Sequence, residues 1–185
     1  FFASIDHKIL KDVLAKHIED EDVLWLMAQI IDSFNTEGKM SVGLPLGNLT
    51  SQLLVNIYMN EFDQFAMREL KVKYYIRYAD DFVILHEDRN YLTEITSKIS
   101  AFLENHLKLS LHPNKVFIKT FASGIDFLGW VNFSHHRVLR MSTKRRMFRN
   151  LEYKSTPEKM MSYLGLLSHG NAHKLSIKLL KSAIV

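Results

Sequence analysis

Tyr78-Ala79-Asp80-Asp81 sets two adjacent carboxylates between two apolar, strand-like runs. Neighbouring carboxylates repel one another and add nothing to a core, and aspartate disfavours strands. A divalent cation resolves the repulsion, because hard oxygen donors suit Mg²⁺ and a hairpin holds them rigidly. On the tetrapeptide alone, an Asp-rich turn without a ligand is the competing reading.

The elements needed to position such a tip can be read around it. Lys73 to Glu87 is strand-like on both sides of Ala79-Asp80, which is a β-hairpin signal. Before it, Ser4 or Asp6 caps a helix with Ile9, Leu10, Val13, Leu14 and Ile18 on its apolar face. The acidic run Glu19-Asp20-Glu21-Asp22 opens a second helix carrying Leu24, Met27, Ile30, Ile31 and Phe34. Four acids at a helix N-terminus read as capping, not as a metal site. A loop from Val42 to Gln52 leads into a long helix running to about Leu70. After the hairpin, Asp88 caps a helix with Leu92, Ile95, Ile99, Phe102 and Leu103 on one face. Strands are expected at Lys115–Phe121, Ile125–Phe133 and Arg137–Met141, followed by helices from Ser142, with Pro157 near a helix start and a break at Gly170-Asn171. Helices and antiparallel strands in this order predict an α+β fold with helices packed on one sheet face.

Composition narrows the classes. The 185 residues are 47% hydrophobic, ample for one buried core and short for two domains. No run of eighteen apolar residues occurs, so no membrane span is expected. The absence of cysteine removes disulfides and thiolate chemistry and fits a reducing, cytoplasmic setting. Charge is unevenly placed: residues 1–136 carry 13 Lys and Arg against 18 Asp and Glu, a net of −5, whereas residues 137–185 carry 11 against 2, a net of +9. A polyanion is the natural partner for that basic end, a solvated charged face the alternative. His135-His136 and His169 have no spacing that makes them metal ligands.

Tyr78-Ala79-Asp80-Asp81 between strands resembles the metal-binding hairpin of reverse transcriptases, and further segments follow that family's order. Phe1-Phe2-Ala3-Ser4-Ile5-Asp6-His7 resembles the stretch after the family's first catalytic aspartate. Gly43-Leu44-Pro45-Leu46-Gly47-Asn48-Leu49-Thr50-Ser51-Gln52 resembles its nucleotide- and template-positioning loop. Leu111-His112-Pro113-Asn114-Lys115 resembles its Pro-x-Lys element, and Ile125-Asp126-Phe127-Leu128-Gly129-Trp130 its primer-gripping hairpin. Ser162-Tyr163-Leu164-Gly165-Leu166-Leu167-Ser168-His169-Gly170-Asn171 resembles thumb helices of bacterial enzymes related to group II intron proteins.

The resemblance implies a palm over residues 1–141 and the start of a helical thumb over 142–185, with the fingers absent. It places the first catalytic aspartate four positions before Phe1, so this chain by itself is expected to be inactive. It implies an RNA-directed DNA polymerase, a nucleotidyltransferase that extends a DNA or RNA primer with dNTPs on an RNA template. Two Mg²⁺ ions, with Mn²⁺ as the alternative, are its implied cofactors, held by Asp80 chiefly and Asp81 second. Lys115 is implied as general acid toward pyrophosphate, a plain surface lysine being the alternative. Phe2 matches the sugar gate that rejects a 2′-hydroxyl by clash, while a core phenylalanine is the alternative. Leu46, Gly47, Ser51, Gln52 and Tyr78 are implied substrate-binding residues; Gly47 lets backbone approach a base pair, and Asn48, Thr50 and Ser51 also suit helix capping. Tyr78 and Phe82 read as packing the hairpin. Phe127, Leu128, Gly129 and Trp130 are implied to grip the primer. Lys144, Arg145, Arg146 and Arg149, with Arg137 and Arg140 nearby, suit a phosphate backbone.

Leu46-Gly47 and Ser51-Gln52 resemble the enzymes of diversity-generating retroelements, which implies an accessory barrel-shaped protein as partner. Two alternatives remain. A maturase-like or abortive-infection-type RNA-binding protein could spare the metal site, which the intact Asp80-Asp81 pair disfavours. A nucleotide cyclase shares a carboxylate hairpin, but its Gly-Gly-Asp/Glu-Glu-Phe signature is absent.

Overall fold

The computed structural model describes residues 1–153 and 156–181. The chain separates into two compact units, Phe1–Ile118 and Lys119–Val185, each with its own apolar cluster, where the length alone suggested one core.

In the first unit, short-range capping fixes the helix starts. Asp6 accepts from the Ile9 amide at 3.0 Å to open α1 (His7–Ala15), and Asp20 accepts from the Val23 amide at 3.0 Å to open α2 (Glu21–Asp32). The acidic run therefore serves as cap and first-turn charge. Asn48 occupies the N-cap of α3 (Leu49–Gln64) without a side-chain capping bond, and the helix ends in a π-helical turn at Phe65–Glu69. Next come the strands β1 (Tyr74–Tyr78) and β2 (Asp81–Leu85), then α4 (Arg89–Leu107), capped by Asp88.

The strands pair antiparallel from Tyr74–Leu85 to Tyr78–Asp81, leaving Ala79 and Asp80 as the two-residue connection. The two-residue period of a strand then divides the hairpin. Tyr75, Phe82 and Ile84 pack on the core, whereas Tyr74, Ile76 and Tyr78 are 56%, 56% and 64% exposed. Helices thus cover one face of the hairpin. The core joins Leu10 and Leu14 of α1, Ile31 of α2, Leu54, Val55, Tyr58 and Phe62 of α3, and a stripe at Ile95, Ile99, Leu103 and Leu107 of α4. The stripe follows the four-residue helical repeat. Within it the buried Tyr58 hydroxyl donates to the Leu107 carbonyl at 2.6 Å, and burial pushes that phenol's pKa up.

Lys115–Phe121 forms no strand: Pro113–Lys115 is a turn, and Val116 and Phe117 are 42% and 52% exposed. Among the described residues, the apolar alternation there has no neighbouring strand to complete a ladder.

The second unit opens with a meander of β3 (Ile125–Phe127), β4 (Trp130–Asn132) and β5 (Arg137–Leu139). Alternation alone predicts a single strand over Ile125–Phe133; the segment is instead a tight hairpin, as the family resemblance of Ile125–Trp130 implied, because Leu128 (φ +52°) and Gly129 (φ +83°) are both left-handed, the pair of conformations that a type I′ turn requires. Helices α5 (Met141–Tyr153), α6 (Pro157–Ser168) and α7 (His173–Lys181) follow. Pro157 takes the first helical position of α6, where its missing N–H costs nothing. Trp130, Leu139, Met147, Leu151, Met160, Leu167 and Leu179 form the core. Gly170 lies against the indole so closely that a Cβ would come 2.1 Å from Trp130 Cζ3.

Candidate active site and nucleic-acid face

Asp80 lies in the hairpin turn and Asp81 opens β2, and both are exposed. Neither carboxylate makes a hydrogen bond or ion pair among the described residues. As the cross-strand partner of Tyr78, Asp81 shares the open face of the hairpin with it. Phe82 packs as expected, its ring 4.9 Å from that of Phe62, while Tyr78 stands outward, available to a ligand.

The turn itself is strained. Ala79 has φ +51°, a left-handed conformation that costs a non-glycine residue about 1–2 kcal/mol. Arg77 compensates from the inward face of β1. Its Nη1 donates to the Ala79 carbonyl at 2.8 Å and to Asn56 Oδ1 at 3.3 Å, while Nε and Nη2 grip Asp63 at 2.7 and 2.5 Å. The Tyr75 hydroxyl donates to the same carboxylate at 2.6 Å. Burial first, then the Asp63 charge, raise the Tyr75 pKa, and Asp63 raises that of Arg77.

A second cluster surrounds Phe2. The Leu44 amide donates to the Phe2 carbonyl at 3.0 Å, the Gly43 amide to Ile5 at 2.8 Å, and the Thr36 hydroxyl to Ala3 at 3.1 Å. His7, 1% exposed, binds the Gly43 carbonyl through Nε2 at 2.6 Å. Gly43 is sterically required: a Cβ there would lie 2.1 Å from Thr36 Oγ1. Gly47 differs. Its φ of +88° favours glycine, yet a Cβ would meet nothing within 4 Å, so its open side faces outward. Leu46 and Gln52 are exposed; Ser51 is buried on the packed side of α3.

Helix α3 connects the two clusters. Gln52 stands one helical turn before Asn56, which contacts Arg77 behind the carboxylate tip. Lys115 occupies an exposed turn, and its side chain forms no hydrogen bond or ion pair among the described residues.

In the second unit, Leu128 is exposed at the β3–β4 tip and Phe127 half-buried, while Trp130 turns inward at 7% exposure. Arg140 is paired with Asp126, and Arg137 lies over the Trp130 ring at 5.2 Å and donates to the His169 carbonyl. Those two cations serve the fold. At about 100° per residue, Arg145, Arg146 and Arg149 share the side of α5 opposite Met147 and Leu151, all three exposed. Lys144 is half-buried toward the other side.

The donor set at the hairpin fits a hard divalent cation: two unpartnered carboxylates on a rigid turn, with no nitrogen or sulfur ligand. No group of three or more potential metal ligands occurs among the described residues, and Asp80 and Asp81 stand there as a pair. Asp63 cannot join them while Arg77 and Tyr75 occupy it. The sequence reading missed Arg77, although its signal was present: strand alternation puts it inward beside Tyr75, where an arginine needs an acid.

A family model described as reverse transcriptase (RNA-dependent DNA polymerase) matches residues 1–132. The chain is 28% identical over 180 residues to Protein YkfC of Escherichia coli (strain K12), covering 78% of this chain and 46% of that protein. It is 25% identical over 214 residues to the group II intron-encoded protein LtrA of Lactococcus lactis subsp. cremoris, covering 78% and 35%. It is 23% identical over 189 residues to the putative COX1/OXI3 intron 2 protein of Saccharomyces cerevisiae, covering 70% and 22%. The chain thus spans less than half the length of each of these relatives. With the carboxylate hairpin inside the matched region, the chain belongs to the reverse transcriptase (RNA-dependent DNA polymerase) family.

Proposed function

We propose that residues 1–141 act as the palm and 142–185 as the beginning of the thumb of a polymerase that extends a primer with dNTPs on an RNA template. This functional division differs from the packing division at 118/119. The observation that carries the proposal is the pair of exposed, unpartnered carboxylates on a hairpin anchored to the same helix that follows the Gly43–Gln52 loop.

Asp80 and Asp81 would hold divalent cations, together with a third carboxylate from outside these residues. Bound Mg²⁺ or Mn²⁺ would supply positive charge at the attacking and leaving oxygens of phosphoryl transfer. Phe2 blocks a 2′-hydroxyl, the Gly47 backbone and Gln52 line the nascent base pair, and Lys115 delivers a proton to pyrophosphate. The Phe127–Trp130 hairpin holds the primer end, and Arg145, Arg146 and Arg149 hold phosphates.

Leu46-Gly47 and Ser51-Gln52 support a diversity-generating retroelement, with an accessory protein as partner, and the absence of cysteine fits a cytoplasmic setting. Among the described residues no helix is long and apolar enough to cross a membrane. The group II intron-encoded relative favours a second reading, a maturase-like RNA-binding protein in which polymerase activity is secondary or lost. Primer extension on an RNA template by the full-length protein tests the polymerase reading: dNTP-dependent product is expected, and its absence with intact template binding would favour RNA binding alone. A template/variable repeat pair beside the gene, against a flanking intron, separates the two subclasses.

A further inference from the structure

Arg77 is a cation beside the carboxylate tip that the proposed chemistry leaves unused. Its side chain is 10% exposed, and it is engaged at both ends of its guanidinium. One side is locked to Asp63 of α3 in a two-point grip, the geometry that makes arginine–carboxylate pairs directional. Neutralising Asp63 requires no more than that. Yet the remaining nitrogen reaches back to the Ala79 carbonyl at 2.8 Å, the residue immediately before Asp80 and the left-handed point of the turn. A left-handed alanine persists only where its surroundings over-determine it, and such residues gather at functional sites. Here the surrounding that over-determines it is Arg77, itself fixed by Asp63 and Asn56.

We infer that Arg77 is a positioning residue for the carboxylate pair: anchored on α3, it holds the Ala79 peptide so that Asp80 and Asp81 meet a divalent cation in one fixed arrangement. The inference rests on the proposed metal-binding role of the hairpin. It assigns to Arg77 the task that hydrogen-bonding partners behind metal ligands perform elsewhere, orienting the ligand without touching the metal. Lysine cannot substitute fully, because a single ammonium does not span Asp63 and Ala79 with a planar fork.

The test is Mn²⁺ binding to the full-length protein, followed by electron paramagnetic resonance, for wild type, Asp80→Asn, Arg77→Lys and Asp63→Asn, with melting curves and primer–template affinity alongside. Arg77→Lys should weaken Mn²⁺ binding by about 10–100-fold, with primer–template affinity unchanged and extension partly recovered at high metal concentration. Asp63→Asn, which loosens the anchor, should shift Mn²⁺ affinity in the same direction. Wild-type Mn²⁺ affinity in a folded Arg77→Lys protein overturns the inference. Loss of the folded state in both Arg77→Lys and Asp63→Asn overturns it too, because the clamp is then a stability device. Equal Mn²⁺ affinity in wild type and Asp80→Asn removes the metal site itself, and the inference with it.

Discussion

The Leu44 amide donates to the carbonyl of Phe2 at 3.0 Å, which ties the start of the Gly43–Gln52 loop to the phenylalanine proposed as the sugar gate. Neighbouring bonds from Gly43 to Ile5 and from His7 to Gly43 make the junction a short two-stranded clasp. These bonds couple the loop to the Phe2 backbone, so a substitution that displaces one should displace the other.

Phe2 is half-buried and lies against the apolar core, with its ring edge-on to Phe1 at 5.8 Å. If its exposed side meets the ribose, Phe2→Ala in the full-length enzyme should raise ribonucleotide use relative to deoxynucleotide use by about 10–200-fold. A purely structural phenylalanine would instead cost up to about 3–5 kcal/mol with unchanged sugar preference. Selectivity and melting temperature measured together separate the two.

Asp80→Asn should leave the fold intact, since the side chain is exposed and unpartnered; its stability change should stay within about 0.5 kcal/mol. Extension should fall by about 10²–10³-fold or more, the scale of losing one group that stabilises developing charge. Primer–template affinity should be nearly unchanged. Wild-type extension by this variant would place the metal site elsewhere.

What could be read from the sequence was local. The caps at Asp6, Asp20 and Asp88, the hairpin around Ala79-Asp80, and the apolar stripe of α4 each depend on residues within a few positions of one another. Arg77 could not be matched to Asp63 that way, because the partner sits on another element, and nothing near it marks Asp63 as paired. The Leu128-Gly129 reversal is legible only through the family resemblance, because leucine is a poor local signal for a left-handed turn and alternation alone reads Ile125–Phe133 as one strand. Lys115–Phe121 has strand-like alternation without a partner strand, and alternation alone does not make a sheet. Among the basic residues, sequence placed six together; packing showed that Arg137 and Arg140 are spent on the fold.

Asp6 gives the first unit a pH dependence. Its burial raises the carboxyl pKa, but the bond from Lys108 at 2.6 Å and the helix amides outweigh this and hold it below the ordinary 3.8. A depressed folded value means that the contribution is complete above the unfolded pKa and disappears as pH falls through the folded one. Because Lys108 is 60% exposed, screening limits the pair to about 0.5–1 kcal/mol. Lys108→Met should therefore lower stability by that amount at pH 7. The difference should close below pH 3.8, as followed by urea melts across the acid range. A difference constant with pH would mean that the lysine acts through its aliphatic stem alone.

The final prediction concerns the basic face of α5. Arg145, Arg146 and Arg149 are exposed on one side of the helix, and none has an ion-pair partner among the described residues. Cations that bind phosphates release counterions, so each one adds to the salt dependence of affinity and not to sequence preference. Replacing all three with Gln in the full-length protein should weaken primer–template binding for every sequence alike. On a duplex, the slope of log K against log salt should become shallower by about 0.9 for each phosphate no longer neutralised, hence by about 2–3 in all. Lys144→Gln serves as the comparison: half-buried toward the apolar side, it should change the slope by less than any one of the three arginines. A triple variant with the wild-type slope would show that this face is only solvated, and the cations that hold the phosphates would have to be sought elsewhere.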